Sequence, residues 1–202
     1  PCDHAGEFYR TQGTYSEIRC RQQPHIPIYG GGGSDAAIRS LAPHVDVFML
    51  WGEPLQATHL FMDRVRREAA LSGRHPTFSL STRPILGATE GEAWDRAKAI
   101  LAQVLANRGN APPPKRQNVG SQRLLQAARE AEVHDTCLWT PLAVATGAQG
   151  NSTALVGTPE TVAQAMLEYY TLGAPSLLIR GYDPQPDAAR YGGELIPRPR
   201  AL

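Results

Sequence analysis

From His25 onward, short apolar runs alternate with stretches of helical periodicity, and few architectures accept that pattern. The first run, His25 to Tyr29, stops at four glycines, after which Ser34 opens an alanine-rich helical segment to Leu41. Val45 to Trp51 is apolar nearly throughout, as in strands buried on both faces. Gly52-Glu53-Pro54 ends it, Pro54 suits a first helical turn, and Leu55, Leu60, Phe61, Val65 and Leu71 space an amphipathic helix up to Gly73. Thr77 to Leu86 reads as a third strand, and Thr89-Glu90 begins a helix with Trp94, Ala97, Ile100, Leu101, Val104 and Leu105 on one face. Further on, Thr158-Pro159-Glu160 caps a helix that Gly173 stops, Ser176 to Ile179 is a fourth strand, and Asp187 to Leu195 closes as a helix. Buried parallel strands joined by helices make an α/β architecture, either an open doubly wound sheet or part of a (β/α)8 barrel. In both, ligands sit at the C-terminal ends of the strands. Those ends are the Gly30–Ser34 turn, Trp51-Gly52-Glu53, Ser81-Thr82-Arg83 and Arg180-Gly181-Tyr182.

Two stretches depart from the alternation. Residues 1–24 lack periodicity and read as a surface loop. Residues 109–150 interrupt the rhythm with an extended Ala111-Pro112-Pro113-Pro114-Lys115 segment, a helix over Ser121 to Ala131 and a mobile Gly/Ala/Gln/Asn loop from Thr146 to Asn151. An insertion of that length in a regular alternation suits a functional lid.

The turn after the first strand carries the clearest chemistry. Bare backbone at Gly30 to Gly33 lets several peptide N–H groups approach an anion, and the helix start at Ser34 adds partial positive charge, so phosphate binding is expected there. The glycines would equally permit a plain tight turn, for this is neither a G-x-G-x-x-G fingerprint nor a P-loop. Twenty basic against nineteen acidic side chains, with no dense Lys/Arg block, point away from nucleic acid and anionic lipid. Cys2, Cys20 and Cys137 show no C-x-x-C spacing, and the six histidines lack ligand spacing, so no metal site or disulfide framework is expected and a reducing cytoplasm is the default. The longest apolar run, Val47 to Trp51, is too short for a bilayer. Without a Gly-x-Ser-x-Gly elbow, a hydrolase is poorly supported.

The run from Pro27 through the four glycines to Ser34-Asp35-Ala36-Ala37, followed by Val45-Asp46-Val47-Phe48-Met49-Leu50-Trp51-Gly52-Glu53-Pro54, resembles the bacterial luciferase-like flavin-dependent monooxygenases, and within them the alkanesulfonate branch. Thr153 to Ala163, Gly181-Tyr182 and Gly193-Glu194-Leu195-Ile196-Pro197 extend the resemblance over nearly the whole chain. It implies a (β/α)8 TIM barrel of which this chain, a single domain over 1–202, supplies strands five to eight with an insertion after strand seven. Family members are about twice this length, so the missing N-terminal barrel half or a second chain must close the barrel, and the open fragment should associate, giving a homo-oligomer.

The implied activity is that of a two-component monooxygenase: reduced FMN from a separate flavin reductase, dioxygen, and a small organic substrate, an alkanesulfonate giving aldehyde and sulfite. Carried over by position, Gly32, Gly33 and Ser34 would hold the FMN phosphate, Trp51 and Glu53 would lie near the pocket mouth, and Tyr182 would stand near the reacting centre. Where the sulfonate branch has an arginine and a histidine on strand seven, this chain has Ser81 and Arg83, and the branch's mobile-loop arginine falls at Ala148. Arg83 and Arg180, both at strand ends, would replace the lost charge and bind the substrate anion, or else pair with nearby carboxylates. Glu53 could equally be a helix-start charge, and Trp94 suits packing better than flavin stacking. A deazaflavin-dependent oxidoreductase of the same superfamily and a non-catalytic flavin-binding protein are the alternatives.

Overall fold

The computed structural model describes residues 1–109, 111–112 and 118–198. Pro113 to Lys115 of the extended segment lie outside the described residues. Four strands form the main sheet: β3 (Tyr29–Gly30), β4 (Val47–Trp51), β5 (Thr77–Thr82) and β10 (Ser176–Ile179), all parallel, in the order β10-β5-β4-β3. Strands consecutive in this set are neighbours in space. The connections β3 to β4 and β4 to β5 run through α1 (Asp35–Leu41) and α2 (Leu55–Ala70), the right pattern for one arc of a (β/α)8 barrel.

The alternation along these strands decides which face the helices cover. Phe48, Leu50, Phe78 and Leu80 are buried with Phe61, Met62 and Val65 of α2 and with Val162, Met166 and Tyr169 of α6 (Pro159–Leu172). Met49 is 41% exposed and Leu178 46%, on the other face, which a closed barrel would bury. β3 and β10 are the edges of this sheet. The open concave face and both edges are what a partner segment would cover.

Three elements differ from the sequence expectation. The first strand is only Tyr29–Gly30, because Pro27 has no N–H and the Ile28 amide is taken by the Asp46 carboxylate at 2.8 Å. Residues 1–24, expected as loop, contain an exposed antiparallel hairpin of β1 (Cys2–Ala5) and β2 (Arg10–Thr14). The expected single strand from Thr77 to Leu86 breaks at Arg83. Thr82 O accepts the last ladder bond from Arg180 N at 3.1 Å, and Pro84 has no N–H to continue it. The chain then starts β6 (Pro84–Leu86), which pairs with β9 (Ala154–Gly157) in a second sheet completed by β8 (Leu138–Trp139) and β7 (Val133–His134).

Between β6 and β9 lie α3 (Glu90–Arg108), α4 (Val119–Glu130) and α5 (Pro141–Thr146). Trp94 of α3 packs edge-on against Trp139, ring centroids 6.2 Å apart, as a core residue of this second unit. The Ser34, Thr89 and Thr158 side chains each accept a hydrogen bond from the backbone N–H three residues on, which starts their helices where the sequence places them. The expected closing helix is α7 (Pro184–Arg190), relaxing into a π-helical turn over Tyr191–Leu195.

Candidate active site

The glycine turn lies at the C-terminal end of β3 and forms one wall of a cavity of about 640 Å³. That volume is within the range of small-molecule and cofactor sites. Its glycines are required by backbone on several sides. A Cβ on Gly31 would sit 2.9 Å from Met49 O, and one on Gly33 would sit 2.9 Å from the Gly120 nitrogen at the start of α4. A Cβ on Gly120 would in turn meet the Trp51 ring at 2.9 Å. Gly120 is therefore wedged between the glycine turn and the Trp51 indole, and the insertion rests flat on the strand ends. Ser34 Oγ accepts from Ala37 N at 3.1 Å and begins α1 beside the cavity.

Gly32, Gly33, Ser34, Trp51 and Glu53, the residues expected to hold the cofactor, all line this cavity. The backbone cradle, the apolar walls of Met49, Leu50 and Phe61, and the volume together fit a flavin with a phosphorylated tail. Glu53 has a definite protein partner. Its Oε2 pairs with Arg123 Nη2 at 2.6 Å, and Tyr169 OH and Thr58 Oγ1 donate to its backbone carbonyl at 2.6 and 3.1 Å. Arg123 belongs to α4, lies 4.1 Å over the Phe61 ring and was not singled out by the sequence, where no spacing connects it to Glu53.

Burial raises the Glu53 pKa against the opposing pull of the Arg123 charge. A carboxyl whose pKa is raised on folding stabilises the fold most below its unfolded pKa, and loses that contribution as pH climbs through the folded value. The stability difference between the protein and Glu53→Gln should accordingly be most favourable to Glu53 near pH 4 and shrink towards neutrality. Urea titrations across that range check this, and a difference that grows with pH would contradict it.

The remaining expected residues gather elsewhere, at the ends of β5 and β10. Arg83 Nε donates to Asn151 O at 2.8 Å, and the Arg83 guanidinium lies 5.2 Å from the Tyr182 ring centroid. The Tyr182 hydroxyl is buried without a hydrogen-bond partner among the described residues, and burial pushes its pKa up to about 12. At neutral pH it is a proton-bearing donor, not a base. Arg180 is exposed, one strand over from Arg83. Among the described residues neither Arg83 nor Arg180 pairs with a carboxylate, and neither they nor Tyr182 line the glycine-walled cavity.

Thr146 to Asn151, expected to be a mobile loop, is tied down instead. Asn151 is buried, its Nδ2 donates to Ser81 O at 2.7 Å and its Oδ1 accepts from Gly52 N at 3.3 Å, so one side chain ties together the ends of β4 and β5. Ala148, where the resemblance put a departure from arginine, is fully buried with positive φ, and its carbonyl accepts from Ser121 Oγ at 2.6 Å.

A parallel arc of barrel strands with a glycine-walled cavity at their C-terminal ends defines the class: half of a (β/α)8 barrel. Residues 1–176 match the luciferase-like monooxygenase family, and the chain belongs to it. A solved riboflavin lyase, with modified FMN and riboflavin, is similar at TM-score 0.72 and 20% identity, over 99% of this chain and 48% of its own. A long-chain alkane monooxygenase is similar at TM-score 0.69 and 16% identity, over 98% and 46%. A coenzyme F420-dependent tetrahydromethanopterin reductase from Methanopyrus kandleri is similar at TM-score 0.63 and 15% identity, over 97% and 57%. The chain thus spans about half the length of these structures, with the luciferase-like barrel fold in common. No helix among the described residues is long and apolar enough to cross a membrane.

Proposed function

We propose that this chain forms the strand-five-to-eight part of an FMN-dependent monooxygenase that oxygenates a small anionic organic molecule, an alkanesulfonate. The observation that carries this is the cavity shared by the glycine turn and Trp51 at the ends of parallel strands. When bound, reduced FMN supplies the electrons that activate dioxygen. In this reading the protein's own residues bind, orient and exclude water. Backbone N–H groups of Gly32, Gly33 and Ser34 receive the phosphate. Trp51, Met49 and Phe61 give the ring system a dry wall, and the Glu53–Arg123 pair closes that wall against solvent.

Arg83 and Arg180, without a carboxylate partner among the described residues at neighbouring strand ends, receive the sulfonate, with the Tyr182 ring 5.2 Å from the Arg83 guanidinium beside them. The insertion over 109–150 acts as the lid, a separate reductase delivers the reduced flavin in the cytoplasm, and the other barrel half, from the same or a second chain in a homo-oligomer, covers the concave face. Because an F420-dependent reductase shares the fold, a deazaflavin enzyme is the second reading, and competition between FMN and F420 for quenching of tryptophan emission separates the two.

The direct test supplies a flavin reductase, FMN, dioxygen and short alkanesulfonates to the protein completed by its barrel partner, and measures sulfite. Sulfite release that depends on all four is expected. In Arg83→Ala the substrate KM should rise about 10-fold or more with FMN affinity unchanged, as loss of a charge-assisted contact requires. Tight FMN binding without oxygen-dependent turnover of any sulfonate would leave a flavin-binding protein in place of an enzyme.

A further inference from the structure

Asn151 carries more of the candidate site than its place in the insertion suggests. It is 7% exposed, just before β9, and its carboxamide stands between the ends of two barrel strands. The β4–β5 ladder ends at the pair Trp51–Ser81. Beyond that pair, Gly52 N donates to Asn151 Oδ1 at 3.3 Å and Asn151 Nδ2 donates to Ser81 O at 2.7 Å. The side chain therefore adds one more rung, accepting and donating as a peptide group would. The opposite orientation of the amide would set Nδ2 against the Gly52 N–H and Oδ1 against the Ser81 carbonyl, which fixes the assignment. Thr153 Oγ1 fastens the same turn, donating to Gly52 O at 2.5 Å. A Cβ on Gly52 would lie 3.1 Å from that hydroxyl and 3.4 Å from Ser81 O, so the strand end has little slack.

The backbone carbonyl of the same residue accepts from Arg83 Nε at 2.8 Å. Asn151 thus touches two groups that the proposed function gives to different ligands. Gly52 lies between Trp51 and Glu53 of the cavity wall, and Arg83 follows the end of β5. A carbonyl is only as well placed as the chain that carries it, and here that chain is held by the residue's own side chain. We infer that Asn151 is a positioning residue of this site. Its side chain fixes the Trp51–Glu53 wall and, through its own carbonyl, the direction of the Arg83 guanidinium. The place requires a donor and an acceptor on one short side chain: an ionised Asp only accepts and would face the Ser81 carbonyl, and Leu has the shape without either bond. That the wall serves a flavin and Arg83 a substrate anion rests on the proposed function; the positioning itself does not.

Nitrogen-edited NMR spectra read both ends at once, from the Trp51 indole N–H and the Arg83 Nε–H, assigned with Trp51→Phe and Arg83→Lys, beside an FMN titration of the same samples. In Asn151→Leu both signals should move and FMN affinity should fall about 10-fold, as misplacement of a binding wall requires. Asn151→Asp should behave likewise near neutrality. As pH falls, its signals and FMN affinity should return towards those of the unaltered protein at the same pH, since a protonated carboxyl again accepts with one oxygen and donates with the other. Burial raises the titration of that carboxyl, and the neighbouring Arg83 charge opposes the rise. A residue that only stabilised the fold would lower the urea midpoint and leave the signals and FMN affinity of folded molecules where they were. That result overturns the inference, as does movement of one signal without the other, or no recovery of Asn151→Asp at low pH. Should neither variant fold, hydrogen exchange at Asn151 Nδ2 in the unaltered protein decides: exchange slowed about 10-fold or more relative to an exposed amide is expected, and exchange at the exposed rate overturns the inference. If the unaltered protein binds no FMN, the flavin reading fails alone, and the two NMR signals still decide the role of Asn151.

Discussion

Gly33→Val is expected to weaken FMN binding about 100-fold, close to 2.7 kcal/mol, while leaving the helical content unchanged. A Cβ at this position points at the Gly120 nitrogen 2.9 Å away, which is backbone at the start of a helix and cannot swing aside as a flexible side chain would. Two accommodations are open, and both damage the site. The glycine turn can recede and lose its N–H alignment, or α4 can lift, withdrawing Gly120 from the Trp51 ring and Arg123 from Glu53. Fluorescence titration with FMN, together with far-UV circular dichroism, measures the effect. Unchanged FMN affinity in a folded Gly33→Val protein would mean that the turn is only a turn.

Asp187→Ala has the largest expected effect on stability, a loss of about 3 kcal/mol or more, as for a buried pair deprived of one partner. Its side chain is 2% exposed and serves three donors from two directions. One oxygen pairs with Arg96 Nη2 of α3, and the other accepts from the Tyr182 and Asp183 amides at 2.8 and 3.0 Å. Removing it leaves the Arg96 charge unpaired and two amides at the end of β10 without their acceptor, which frees the Arg180–Tyr182 segment. By comparison, Asp63→Ala removes a partly exposed pair with Arg66 and should cost no more than about 1 kcal/mol. Urea midpoints at constant slope give both numbers. Equal losses at the two positions would contradict the role given to Asp187.

What the residues reveal of this architecture follows from which forces are local. Val47 to Trp51, Ser176 to Ile179 and the capped helix starts at Ser34, Thr89 and Thr158 were legible because a short apolar run and a single side-chain cap leave marks within a few residues, although burial on both faces was not met, since Met49 and Leu178 lie on an exposed face. The break at Arg83 was not, since apolar residues resume at Ile85 and Leu86 and the change of partner, from β10 to β9, leaves no mark beyond Pro84. The hairpin over residues 2–14 left no pattern because both of its strands are exposed throughout. Asn151 and its neighbours looked like a mobile loop by composition. They are buried because their polar atoms find partners on Gly52 and Ser81, far away in sequence. For the same reason the glycine turn could be placed at a strand end from the sequence, while Arg123, which lines the same cavity from α4, could not.

The proposed function turns on where the flavin phosphate docks, and a crystal structure of the protein with FMN bound is the most direct measurement of it. Phosphate oxygens about 2.7–3.2 Å from backbone nitrogens of the Gly32–Ser34 segment, with the ring system against Trp51, is the predicted result. A phosphate seated at the Arg83 and Arg180 strand ends instead, with the glycine turn empty, would contradict it.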